Sequence, residues 1–275
     1  MKKLLALLLS IVMIIGATLS FTACGDEDDW ANVQEKGYFT CGITVYAPMN
    51  YFDDTDSLVG FDTELAKAVA EYLNLEVKFQ IIDWPAKYLE LNSGAIDLIW
   101  NGFTYGDEDG VPRSEYVDFT HSYLKNEQCI VVRTADLDKY AVKADLAGKL
   151  AGVEGGSSGE GIAKDLGAVK GSSLIQKTSQ ALALNELVAN QVDYAVIDLQ
   201  MAKAMVGKND FASLSILTLS DYTIEAEVYA IGARLGSSLT AKINEALEAL
   251  SANGTIATLA AKYGLENDVI ANIGK

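Results

Sequence analysis

The chain has 275 residues, of which 50% are hydrophobic and 21% charged, a composition that builds one large core or two smaller ones and excludes a disordered chain. Its formal charge is −17, and losing Lys2 and Lys3 with the leading segment takes the 21 basic residues to 19 against 38 acidic, a net −19. Such an excess of negative charge excludes nucleic acid as a partner, and one histidine with three scattered cysteines supplies no metal-ligand cluster.

In chain order, Lys2 and Lys3 precede an apolar run from Leu4 to Ile15, and small residues lead on to Cys24, the pattern of an export signal over residues 1–23. A membrane-spanning helix needs roughly 20 apolar residues, and Gly16, Thr18, Ser20 and Thr22 interrupt this run. Phe21-Thr22-Ala23-Cys24 resembles a bacterial lipobox, which implies that Cys24 is lipidated and becomes the new N-terminus. Residues 24–36 are then expected to tether the domain to the outer face of the membrane, and the acidic, small-residue run Gly25 to Asp29 suits a solvated spacer.

Beyond the tether, short β-branched and aromatic runs alternate with helical patterns, which predicts an α/β fold of parallel sheets covered by helices. Phe39 to Thr44 reads as a strand. Asp62 to Leu73 carries apolar residues at helical spacing, Val77 to Ile82 is the next strand, and Ala95 to Trp100 follows a helical stretch around Tyr88 to Leu91. Glu127 to Val132 reads as a long strand. The second half repeats the pattern: strand Lys149 to Val153, helix Ser158 to Leu166, a strand near Leu174, helix Ser179 to Ala189, strand Tyr194 to Ile197 and strand Glu225 to Ala233. The chain closes with helix Leu239 to Leu250, capped by Ser237 or Ser238, a stop at Asn253-Gly254 and a short helix to Tyr263. Cys41 and Cys129 lie in apolar strand-like segments and read as buried thiols, although their pairing is not fixed by spacing. Two units with no flexible linker between them predict a structured hinge, with Lys125 to Val131 and Leu217 to Val228 as paired crossings. The first lobe is then 37–126 with 224–275, and the second 127–223.

Four further stretches are specific. They are Tyr46-Ala47-Pro48-Met49, Val59-Gly60-Phe61-Asp62 opening a helix, Asp97-Leu98-Ile99-Trp100-Asn101-Gly102-Phe103-Thr104, and Val117-Asp118-Phe119. In this order, and with Gly152-Val153-Glu154-Gly155-Gly156-Ser157-Ser158 and Tyr229-Ala230-Ile231-Gly232, the chain resembles the bacterial extracellular solute-binding family 3, the polar amino-acid-binding proteins of ABC importers. The resemblance covers nearly all of residues 37–265. It implies a two-lobed, type II periplasmic-binding-protein fold with two crossing hinge strands, an exported monomer that closes on a small amino acid, importer membrane subunits as partners, and no cofactor.

The same resemblance implies roles for single residues. Arg113, five before Asp118, is expected to grip the ligand α-carboxylate, since a planar guanidinium offers paired donors. The loop Tyr105 to Pro112 makes the interval from Thr104 longer than the family's Thr-x-Thr-x-x-Arg spacing. Ser157 and Ser158 open a helix whose free N–H groups favour an anion; a plain helix cap is the alternative. No Gly-Lys-Ser/Thr follows the glycine-rich turn, so it is not a nucleotide loop. Asp198 is expected to meet the α-ammonium, helped by the Gly102 carbonyl and Thr104 hydroxyl, or to cap helix Leu199 to Met205. Tyr46 and Trp84 are expected to sandwich the ligand side chain, or to be core, and Asn101 to add polar contacts. Glu154 is the candidate to meet a basic side chain, with a solvated loop acid as the alternative. A dehydratase-like enzyme on the same fold and an amino-acid-sensing module using the same site are the competing functions; the chain's only histidine, His121 in Asp118-Phe119-Thr120-His121-Ser122-Tyr123, is expected at the surface.

Overall fold

A computed structural model of the chain describes residues 28–274; the export signal and the lipidation expected at Cys24 lie outside the described residues. The first described element is a helix, α1 (Asp29–Lys36), where the sequence reading has a tether. Asp28 caps it by accepting from the Trp30 N–H. Val33 is buried, Trp30 packs on the core, and the Arg234 guanidinium holds Asp29 at 2.8 Å. An apolar face and one ion pair are enough to dock this segment, so Asp29, expected in the solvated spacer, belongs to the folded domain.

Strands β1 (Tyr38–Ile43), β2 (Tyr51–Phe52) and β3 (Leu58–Val59) lead to helix α2 (Phe61–Tyr72), then β4 (Glu76–Ile81), α3 (Lys87–Asn92), β5 (Leu98–Ile99), β6 (Asp107–Glu108), β7 (Val111–Pro112) and β8 (Asp118–Phe119). The long β9 (Leu124–Arg133) opens the second unit, followed by β10 (Ala151–Glu154), α4 (Ser158–Asp165), β11 (Leu174–Lys177), α5 (Gln180–Val188), β12 (Tyr194–Asp198), α6 (Leu199–Met205) and β13 (Leu214–Leu217). The chain returns through β14 (Ala226–Tyr229) and β15 (Gly232–Ala233) to helices α7 (Leu239–Ala252) and α8 (Thr255–Lys262).

The strands form two main sheets, ordered β4-β1-β5-β15-β8 and β11-β10-β12-β9-β13. In each, the first three strands are parallel, as helical crossovers require, and the fourth, β15 or β9, pairs antiparallel with them. Helix α2 buries Phe61, Leu65, Ala66, Val69 and Ala70, one helical face, in the same core as Leu239, Ile243 and Leu247 of α7. Each large apolar side chain so buried contributes about 1.5–3 kcal/mol. Cys41 and Cys129 are buried free thiols.

The two sheets are joined by β9 and β14, which run antiparallel from Leu124↔Tyr229 to Glu127↔Ala226 before β9 continues into the second sheet beside β12 and β13. These are the two crossing strands of a two-lobed type II fold. Two strands are shorter than their apolar runs. Only Leu98–Ile99 of Ala95 to Trp100 pairs, because the Ala95 and Ile96 N–H groups turn back to the Glu90 carbonyl and Asp97 accepts from Lys36 and Thr40. The run Glu225 to Ala233 divides where Ala230 donates to the Phe103 carbonyl, one part pairing with β9 and the other entering the first sheet.

Candidate functional site

The parallel strands of both sheets point their carboxyl ends at one gap, and the chain leaving those ends builds the site, as expected of open α/β sheets. From the first lobe, Trp84, Asn101, Gly102, Thr104 and Arg113 face a narrow cavity between the lobes. From the second come Gln128, Glu154, Ser157, Ser158, Gln180 and Asp198. Nine of the ten residues expected from sequence line this cavity. The exception is Tyr46, which is 1% exposed and stands behind Gly102 with its hydroxyl 2.6 Å from that of Tyr229. Gly102 has φ 55°, and a Cβ there would lie 2.7 Å from the Tyr46 ring. Glycine is therefore required for the loop to cross both tyrosines.

Arg113 is 1% exposed. Its Nη1 donates to the Thr104 carbonyl at 3.0 Å and to Ser158 Oγ at 3.3 Å, while Nη2 donates to the Gly156 carbonyl at 3.2 Å. Its Nε makes no hydrogen bond and lies 3.6 Å from Glu108. The Phe103 ring backs the guanidinium at 5.3 Å. This side chain is thus fixed by the first lobe and reaches the second, its two longest bonds being those to Ser158 and Gly156.

The longer loop before Arg113 is a hairpin, β6–β7, turning at Asp109 (φ 53°) and Gly110 (φ 78°), the left-handed pair of a two-residue hairpin turn. It returns Glu108 to the fully buried Lys87, 2.9 Å from Nζ, where the Tyr88 hydroxyl also donates. Burial pulls the Lys87 ammonium down to about 8 against the opposing pull of Glu108. Lys87 also donates across the gap to the Gly156 carbonyl at 3.0 Å. Two other contacts cross here, Asp109 with Lys164 of α4 and the Trp84 N–H with the Thr178 carbonyl at 3.3 Å.

On the second lobe, Ser157 caps α4 by accepting from the Glu160 N–H at 3.2 Å, which leaves Ser158 as the hydroxyl facing Arg113. Asp198 makes no side-chain cap to α6. Its Oδ1 accepts from Asn126 and Gln128, each at 2.6 Å, and Oδ2 accepts from Gln180. The same two amides of Asn126 and Gln128 donate to Glu227 on β14, at 2.6 and 2.7 Å, and Thr104 donates its hydroxyl there at 3.0 Å. Burial, and then the Glu227 carboxylate, push Asp198 up to about 7. A cationic group beside this pair of acids restores the ionised form.

Glu154 ends β10, 2% exposed, with Oε1 lacking any hydrogen-bond partner. Burial pushes its carboxyl well above the usual range, and Asp198 adds to that. Trp84 is held edge-on to Phe103, with centroids 5.5 Å apart at 82°. Asn101 spends its amide on the Thr44 carbonyl and Asn50 Oδ1, so it braces the loop as well as lining the cavity. The Gly102 N–H donates to buried Asp62 at 2.7 Å, and burial raises Asp62 to about 6. His121 stands half-exposed beside Glu248, outside the cavity.

Sequence reasoning missed Gln128, Gln180, Asn126, Glu227, Lys87 and Glu108. Asn126 and Gln128 were detectable as polar residues at alternate positions of an apolar strand, pointing to a polar surface on one face. Asp109-Gly110 was a hairpin signal. Nothing local marks Gln180 or Lys87, whose importance comes from the other lobe.

Residues 39–266 match the family described as Bacterial extracellular solute-binding proteins, family 3. The chain is 31% identical over 263 residues to the Arginine-binding extracellular protein ArtP of Bacillus subtilis (strain 168), covering 96% of this chain and 98% of that protein. It is 29% identical to the L-cystine-binding protein TcyA of the same organism, over 96% and 97% of the two chains. Among solved structures, an ABC uptake transporter substrate binding protein from Streptococcus pneumoniae with bound histidine superposes with a TM-score of 0.75 at 30% identity, covering 91% of this chain and 100% of that one.

Proposed function

Because the chain belongs to the bacterial extracellular solute-binding proteins, family 3, we propose that it is an exported receptor that closes two lobes around a polar amino acid and delivers it to the membrane subunits of an ABC importer. One observation carries this reading: Arg113 from the first lobe and Asp198 from the second meet across a single buried cavity. Arg113 and Ser158 take the α-carboxylate. Asp198, with the Gly102 carbonyl and Thr104, takes the α-ammonium. Neither lobe alone answers both charges, so a zwitterion favours the closed arrangement by binding both.

Gln128 and Gln180 hold Asp198 in place, Trp84 offers its face to the ligand side chain, and Ser157 maintains the helix end beside the carboxylate. Tyr46 supports this site from behind Gly102. The chain acts as a monomer held to the membrane by a lipid on Cys24. We read it as a receptor and not an enzyme, since the cavity wall offers an ion-pairing pattern for a zwitterion and His121 stands elsewhere. Thermal-shift screening of the twenty amino acids tests the proposal, because a specific ligand raises the melting temperature with its concentration. Absence of any such shift, with the protein folded and freed of co-purified ligand, would refute it.

A further inference from the structure

A zwitterion occupies Arg113 and Asp198 and leaves one charged side chain of the cavity wall unanswered. The lining carries three charged residues, Arg113, Asp198 and Glu154. Glu154 is 2% exposed, and its Oε1 has no hydrogen-bond partner. The nearby cation Lys87 is committed elsewhere, 2.9 Å from Glu108 and 3.0 Å from the Gly156 carbonyl, and does not line the cavity. Asp198 adds a second negative field, and the Lys87 charge, the Gln180 N–H and the Arg113 charge oppose it. The Trp84 indole Nε1 on the same wall is also without an acceptor.

We infer that Glu154 selects the ligand side chain and that the ligand is an amino acid with a positively charged side chain, a guanidinium, ammonium or imidazolium. This inference rests on the amino-acid-binding reading above. A neutral side chain leaves the buried carboxyl either ionised without a cationic partner or obliged to keep its proton. An acidic side chain adds repulsion from Glu154 and Asp198 together. A cationic one forms a charge-assisted hydrogen bond in a site shielded from water, about twice as strong as a neutral pair. The flat face of Trp84 suits a cation or its aliphatic stem equally.

The test is calorimetric titration of the full exported domain at neutral pH with L-arginine, L-lysine and L-histidine, against L-glutamine and L-citrulline, the uncharged isostere of arginine. At least one cationic amino acid should bind roughly 10- to 100-fold more tightly than the neutral pair. Glu154→Gln should reduce that ratio to a few-fold, chiefly by weakening the cationic ligand. A second readout uses the unaltered protein in buffers of different ionisation enthalpy. Every amino acid draws a proton from Asp198, so the difference between arginine and citrulline isolates Glu154, and arginine should release about one proton more. Citrulline or glutamine binding as tightly as every cationic ligand, a preference that survives Glu154→Gln, or equal proton release would overturn the inference while leaving the receptor reading intact. Binding of none of the five would also overturn the inference, and the receptor reading falls with it only if the thermal-shift screen of all twenty amino acids is blank as well.

Discussion

The buried acids of the cleft give the ligand-free protein an unusual response to pH. Asp198 moves from the ordinary 3.8 to about 7 in the folded protein, and each unit is worth about 1.4 kcal/mol. The folded form therefore holds a proton that the unfolded form has lost, and stability falls as pH rises from about 4 to 7, by roughly 4 kcal/mol on account of this residue. The residue is buried, so no discount for solvent screening applies. For a chain of this size that corresponds to a fall on the order of 10 °C in Tm. Asp62, raised to about 6, adds roughly 3 kcal/mol between pH 4 and 6, and general repulsion among the excess acids acts in the same direction. Asp198→Asn removes the first and leaves that of Asp62 in place, while it also relieves the Asp198 field on Glu154, whose raised carboxyl acts in the same direction. Thermal melts by circular dichroism of both proteins, refolded free of ligand, from pH 4.5 to 8, should give two Tm curves that diverge with pH, the parent falling more steeply. Parallel curves, or a parent that gains stability toward pH 8, would refute the placement of a proton on Asp198.

Three other outcomes are expected. Arg113→Ala leaves a bound carboxylate buried and unpaired, at roughly 3–5 kcal/mol, so the affinity measured by calorimetry for whichever amino acid binds should drop by at least 100-fold while the circular dichroism spectrum stays native; an unchanged affinity would remove Arg113 from the site. Gly102→Ala places a Cβ 2.7 Å from the Tyr46 ring and 3.1 Å from that of Tyr229, in a left-handed backbone. It should cost about 1–3 kcal/mol in stability and weaken binding, and a Tm equal to the parent's would show that the tyrosines yield. Cys24→Ser should move the protein from the membrane fraction to the soluble exported fraction, as judged by immunoblotting, and retention at the membrane would argue against a lipid on that residue.

Much of this fold follows from local patterning. The 3.6-residue spacing of α2 and the β-branched runs of β1, β4 and β12 are each set by one face seeking one core, which the sequence displays directly. The strands that came out shorter, β5 and β14, did so because polar groups at their ends found partners far along the chain: Asp97 in Lys36, and the Ala230 N–H in the Phe103 carbonyl. No neighbouring residue encodes those. Cavity-lining residues were legible where one side chain carries one charge in a recognisable order, as with Arg113 and Asp198. They were not legible where importance is shared, as with Asn126 and Gln128, whose amides each serve two carboxylates brought together only by the crossing strands. Residues 29–36 misled because the acidic run that leads into them suggests solvation, whereas Asp29 is drawn in by an arginine some two hundred positions away.

The contacts that reach from lobe to lobe around the cavity, Trp84 to Thr178, Lys87 to Gly156 and Asp109 to Lys164, use protein atoms on both sides. They strengthen the shut form by the same amount whatever molecule lies between, so they multiply every affinity by a common factor and alter no ranking. Tightness and choice are thus adjusted by different parts of the chain. Mutations of Asp109 at the tip of the β6–β7 hairpin can retune how dilute a nutrient the cell can scavenge, leaving untouched which nutrient it is.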